Sequence, residues 1–121
     1  MEHPMYPDTT KEIARKRREL APEISSAFRA FGQRVFADGA LPEKTKQLIA
    51  VAVAHVTQCP YCIRGHTELA VQKGATEPEI MEAIWVAAEM RAGAAYAHSV
   101  IAIDTMHRLH PAPADRPPTA T

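Results

Sequence analysis

Apolar side chains recur along this chain at helical rather than strand spacing, and the breaks between periodic stretches fall at proline and glycine. Thr9 with Glu12 three positions on predicts a capping box that opens a short, highly charged helix ending near Leu20. Pro22 suits a first helical position, and Ile24, Phe28, Phe31 and Val35 then repeat on one face until Asp38-Gly39. Pro42 opens a third segment, from Glu43 to about Thr57, and Pro60 a fourth that runs to a C-terminal cap at Gly74. Thr76 with Glu79 predicts a second capping box, a fifth helix over Glu77–Arg91, and a sixth over about Gly93–His107 with little or no break between them. From Pro111 the chain carries four of its ten prolines in eleven residues, the pattern of a frayed or disordered tail. The organisation predicted is an N-terminal extension over 1–10, one helical domain over 11–110 and a proline-rich tail over 111–121.

The run Leu-Ile-Ala-Val-Ala-Val-Ala-His-Val, residues 48–56, also admits a buried strand. A strand entering Cys59-Pro60-Tyr61-Cys62 and then a helix would look like thioredoxin. No other stretch supplies a strand partner, and a sheet needs several. The helix-type opening at Pro42-Glu43-Lys44 and the alternating alanines favour helix, so the fold class is all-α. Alanine occurs 22 times and lets helices approach closely. Two helices apolar on nearly every face require burial on nearly every face. A chain of 121 residues has few places to bury them, so a homo-oligomer is expected.

Lys+Arg and Asp+Glu number 14 each. A net charge of zero offers no surplus for a phosphate backbone or an anionic bilayer, which weighs against nucleic-acid and membrane-surface functions. The longest apolar run, Leu48–Ala54, is far shorter than the roughly 20 residues of a membrane span. Residues 1–10 lack the apolar core of a secretory signal, so a cytoplasmic location is expected.

Both cysteines of the chain lie in Cys59-Pro60-Tyr61-Cys62, at the start of the fourth helix. A helix N-terminus stabilises thiolate through its unpaired N–H groups and macrodipole. His66 follows Cys62 by four residues and shares its helix face, where an imidazole can take the thiol proton. That spacing assigns attack to Cys62 and resolution to Cys59. A zinc site of His55, Cys59, Cys62 and His66 is the rival reading, although three of the four ligands would have to converge from one helix and its entry turn. Covalent haem is excluded, because Ile63 stands where that motif needs histidine.

The stretch from Pro42 to Ser99, above all LIAVAVAHVTQCPYCIRGHT and GATEPEIMEAIWVAAEMRAGAAYAHS, resembles the carboxymuconolactone decarboxylase / AhpD-like family. The Cys-x-x-Cys-x-x-x-His motif places it nearest the small alkylhydroperoxidase-type branch. The resemblance implies an all-helical subunit in a trimer or hexamer, with Cys62 as peroxidatic thiol, Cys59 as resolving thiol and His66 as proton relay. The family relay also uses a glutamate twelve residues before the first cysteine, and here that position is Gln47. Glutamine orients a histidine or a water but accepts no proton at neutral pH. Glu89 in the fifth helix is the candidate to supply the missing carboxylate, with Glu43 a weaker one. Tyr61 takes a place where some relatives carry a second histidine.

The expected function is therefore a thiol-dependent peroxidase without a cofactor or metal, taking a hydroperoxide substrate and electrons from an external dithiol or protein reductant. The alternatives are a protein disulfide oxidoreductase and a carboxymuconolactone-type lactone decarboxylase in which the cysteines are structural. His55 and His98 are expected to pack rather than react. Met81, Trp85 and Met90, with Phe28 and Phe31, are expected in a core or an interface.

Overall fold

A computed structural model of the protein describes residues 4–111, and among them five α-helices and no strand. The helices are α1 (Lys11–Leu20), α2 (Pro22–Phe36), α3 (Glu43–Thr57), α4 (Pro60–Gln72) and α5 (Glu77–Leu109). The all-α class is as read from the pattern. The number of helices is not, because the fifth and sixth expected segments form one helix of 33 residues. Gly93 lies in its middle, where glycine costs about 1 kcal/mol relative to alanine. With no proline or capping residue there, the alanine-rich flanks carry the helix through.

Several boundaries follow from local chemistry. Thr10, not Thr9, is the N-cap of α1, its Oγ1 accepting the Ile13 N–H at 3.2 Å. Adjacent threonines offer two start registers, and the one chosen leaves Glu12 in the first turn but outside a capping box. Pro22 stands at the start of α2, where its missing N–H costs nothing. Asp38 does more than end α2, since its Oδ1 accepts the Glu43 N–H at 2.7 Å and so caps α3. Gln58 closes α3 in the left-handed region at φ 58°. Gly74 at φ 91° lets the chain turn back after α4, so that the Ala75 N–H reaches the Ala70 carbonyl at 2.9 Å. The Thr76/Glu79 capping box at the head of α5 is present as expected.

The core sits where α3, α4 and α5 meet, around buried Val51, Ala70, Ala75 and Ile80, with Leu48 and Ile84 packed against it. Small side chains at Ala54, Ala70 and Ala87 permit the close approach. The hairpin of α1 and α2 stands beside this unit and buries none of its own residues. Phe28, Phe31, Met81, Trp85 and Met90 are exposed, so none belongs to the core of the single chain. Ile49, Val53 and Val56 on α3 and Tyr96, Val100 and Ile101 on α5 are exposed as well. The proline-rich tail lies, beyond Pro111, outside the described residues. Among the described residues no helix is long and apolar enough to cross a membrane.

Candidate active site around the Cys59–Cys62 pair

The turn from α3 into α4 brings the two cysteines together. Cys59 is the N-cap of α4, and its Sγ accepts the Cys62 N–H at 3.2 Å. Cys62 lies in the first turn, and the two are joined as a disulfide with Cα atoms 5.2 Å apart. The three-residue separation on a helix start makes this closure possible without moving the backbone. Both cysteines are half-buried.

His66, one turn along α4 from Cys62, joins it in the wall of a pocket of about 440 Å³. The rest of the lining is nearly all apolar: Val35 and Phe36 from the end of α2, with Ile49, Ala50, Val53 and Ala54 from α3. Lys46 and Thr57 are its other polar members. Cys59 is not part of the lining, so the two thiols are inequivalent: one faces the pocket and the other caps the helix.

Gln47 is the buried polar residue of the described chain, 2 % exposed, on the α3 face that meets α4. Its side chain lies against the His66 ring, with Oε1 2.8 Å from Nδ1. An amide oxygen can only accept, so Nδ1 carries the proton and donates it. The tautomer so defined leaves Nε2 as the free, basic nitrogen. The Phe36 ring stacks on the same imidazole, with centroids 5.1 Å apart and planes 28° from parallel. His66 is thus held at one edge by an amide and on one face by a phenyl ring.

Gln47, Cys59, Cys62 and His66 are therefore brought together. Glu89 is not: it is exposed on α5, beside Gly93, and does not line the pocket. Glu43 is engaged elsewhere, its carboxylate 3.1 Å from the Lys73 ammonium. Within the single chain neither carboxylate is hydrogen-bonded to His66: Glu89 is exposed on α5, and Glu43, although one turn from Gln47 on α3, is paired with Lys73. His55 donates or accepts through Nδ1 to the Val51 carbonyl of its own helix at 2.7 Å, and His98 is exposed. Among the described residues no group of three or more His, Cys, Asp or Glu side chains is placed to hold a metal ion.

Two contributors were not singled out by the sequence. Phe36 ends a helix whose apolar face had been traced only to Val35, and Lys46 sits one residue before Gln47 in a charged helix start. Nothing in the local pattern distinguishes either from an ordinary helix-end residue. A third feature is a strap on the other side of α4. There Tyr6 packs edge-on to Tyr61 at 6.2 Å, and Asp8 accepts from Arg64 Nη1 at 2.9 Å.

Comparison with known proteins places this site in context. The sequence profile of the Carboxymuconolactone decarboxylase family matches residues 22–105. Uncharacterized protein 4 of the cox locus of Paracoccus denitrificans is 64% identical over 86 residues, covering 71% of this chain and 78% of that protein. A carboxymuconolactone decarboxylase family protein of Legionella pneumophila, solved in its apo form, shares 40% identity at a TM-score of 0.61, over 64% of this chain and 69% of that one. A family member from Thermotoga maritima, described as a candidate for a role in antioxidative response, shares 26% identity at a TM-score of 0.52, over 69% of this chain and 95% of that one. With the span from α2 into α5 and the cysteine pair inside the match, this chain belongs to the carboxymuconolactone decarboxylase family.

Proposed function

We propose that the protein is a thiol-dependent peroxidase acting on organic hydroperoxides. The observation that carries this reading is the pairing of Cys62 with a tautomer-fixed His66 in one apolar pocket. In the dithiol form His66 Nε2 takes the Cys62 proton, and the thiolate attacks the terminal peroxide oxygen. The O–O bond breaks, the S–O bond forms, and the leaving alkoxide takes the proton from His66 to depart as alcohol. Cys62 is now a sulfenic acid. The Cys59 thiol attacks its sulfur, hydroxide leaves as water with the Cys59 proton, and the disulfide seen in this structure results. An external dithiol, small or protein-borne, returns two electrons and two protons by exchange. Cys59 suits the leaving position in that exchange, because its sulfur caps α4 and accepts the Cys62 N–H.

The apolar lining favours an organic hydroperoxide over hydrogen peroxide, since the alkyl part gains by leaving water. The exposed apolar faces of α2, α3 and α5 support a homo-oligomer, a trimer or hexamer, in which these side chains are covered. A carboxylate from a neighbouring subunit could then reach the site that Glu89 does not reach within its own chain. A pair that must return to the dithiol fits a reducing compartment, the cytoplasm.

The test is turnover of an organic hydroperoxide by dithiol-reduced protein beside Cys62→Ser and Cys59→Ser. The reading expects loss of activity in the first and arrest at sulfenic acid in the second. An inert wild type whose thiols still cycle with a protein disulfide would move the assignment to disulfide exchange. Activity on a lactone that survives Cys62→Ser would move it to decarboxylation.

A further inference from the structure

Beside the Asp38 cap on the Glu43 N–H, one side chain of α3 reaches back to the end of α2. The last carbonyls of a helix lack intrahelical donors, and a cation placed there satisfies them and complements the dipole. Lys46 does this from α3: its Nζ donates to the Val35 carbonyl at 2.8 Å and to the Ala37 carbonyl at 2.6 Å. These two carbonyls flank Phe36, the residue whose ring stacks on His66. Apart from the Asp38 cap on α3, no other side-chain hydrogen bond or ion pair among the described residues joins α2 or its C-terminal turn to the three-helix core. Lys46 also precedes Gln47, so a single turn of α3 carries both constraints on the imidazole. Gln47 holds its Nδ1 edge directly, and Lys46 holds the helix end that delivers the ring against its face.

The geometry points to Lys46 and Phe36 as positioning residues for His66: Lys46 clamps the C-terminus of α2, and the clamp keeps Phe36 stacked on the imidazole so that the ring holds its orientation in the pocket wall. This rests on the reading of His66 as the proton carrier, but the arrangement itself can be judged without any turnover. Stacking from one face and a hydrogen bond at one edge remove the two rotations an imidazole side chain retains. Displacement of a catalytic group by about 1 Å is enough to cost roughly 100-fold in rate.

The test uses the full chain with Lys46→Met, Lys46→Arg, Phe36→Leu and the double variant Lys46→Met/Phe36→Leu. The first readout is the proton NMR spectrum of the His66 ring, which the Phe36 ring current shifts upfield. Phe36→Leu sets the value for no stacking. Lys46→Met is expected to move the His66 resonances most of the way to it, and Lys46→Arg to leave them near wild type. The second readout is the hydroperoxide rate against pH. Lys46→Met and Phe36→Leu are each expected to lower kcat by about 10–100-fold and to displace the limb assigned to His66, with the double variant no worse than the more severe single one. Wild-type His66 resonances and pH profile in Lys46→Met, beside a lowered Tm, would reduce Lys46 to a structural cap and overturn the proposal. A wild type inert toward hydroperoxides would sink the peroxidase reading instead, and the NMR arm would still decide the clamp.

Discussion

Replacing Gln47 by glutamate tests whether this site operates with an orienting amide where its relatives are expected to carry a carboxylate. The amide oxygen is buried, with its residue 2 % exposed, and accepts from His66 Nδ1 at 2.8 Å. A hydrogen bond between neutral groups contributes about 0.5–1.5 kcal/mol, and one to a charged group about 1.5–3 kcal/mol. Proton transfer from Cys62 creates an imidazolium, so Gln47→Glu should favour the thiolate–imidazolium pair by the difference, about 1–2 kcal/mol. That corresponds to roughly a 5–30-fold larger proportion of the ion pair. Repulsion between the new carboxylate and the thiolate across the ring offsets part of it, which makes the lower half of the range the expectation. The assay is ultraviolet thiolate absorbance of reduced protein in a Cys59→Ser background, followed by the second-order rate with an organic hydroperoxide. Both should rise in Gln47→Glu and fall in Gln47→Leu. The leucine variant also leaves the Nδ1–H without a partner, which should cost about 1–3 kcal/mol of stability. Equal thiolate content and equal rates in wild type and both variants would refute the idea that Gln47 governs His66.

Three further outcomes bear on the scaffold. The Lys44 ammonium, 2.8 Å from its carboxylate, and the Thr76 N–H hold Glu79 well below its ordinary value of 4.5, at about 2. A carboxyl lowered on folding contributes stability that is present above pH 4.5 and lost as pH falls toward 2. Glu79→Gln should therefore flatten the decline of Tm in that window relative to wild type, and an identical acid profile would contradict the stabilisation of the Glu79 carboxylate by Lys44 and the Thr76 N–H. Ala70→Leu should destabilise by about 1–3 kcal/mol in chemical denaturation, because Ala70 is fully buried between packed helices and a larger side chain forces them apart. Gly74→Ala meets no neighbour within 4 Å, so any loss measures backbone conformation alone, about 1–2 kcal/mol for a left-handed alanine.

The central residues of the candidate site were legible before the fold. Both cysteines at one helix start and a histidine one turn on are relations of fewer than eight residues, and helical spacing translates them into shared space. The family resemblance added Gln47, whose contact with His66 spans 19 positions and is invisible to any local rule. Glu89 illustrates the converse. Its type and its helix were suitable, but the face on which it projects depends on the register of α5 against α3, and that places it in solvent within the chain.

By itself the sequence determined the all-α class, the second capping box, most helix starts and the Cys59–Cys62–His66 alignment, since each depends on backbone propensity and side chains a few residues apart. The joining of two expected segments into α5 was decided by the absence of any interruption strong enough to offset the surrounding helix, a balance that a glycine alone leaves open. Tertiary structure decided which thiol faces the pocket, which carboxylates stay outside it, and how Lys46 and Phe36 reach His66. Those are properties of three helix axes and their relative rotation. A few ångströms of packing set them, and no periodicity along a single helix records that.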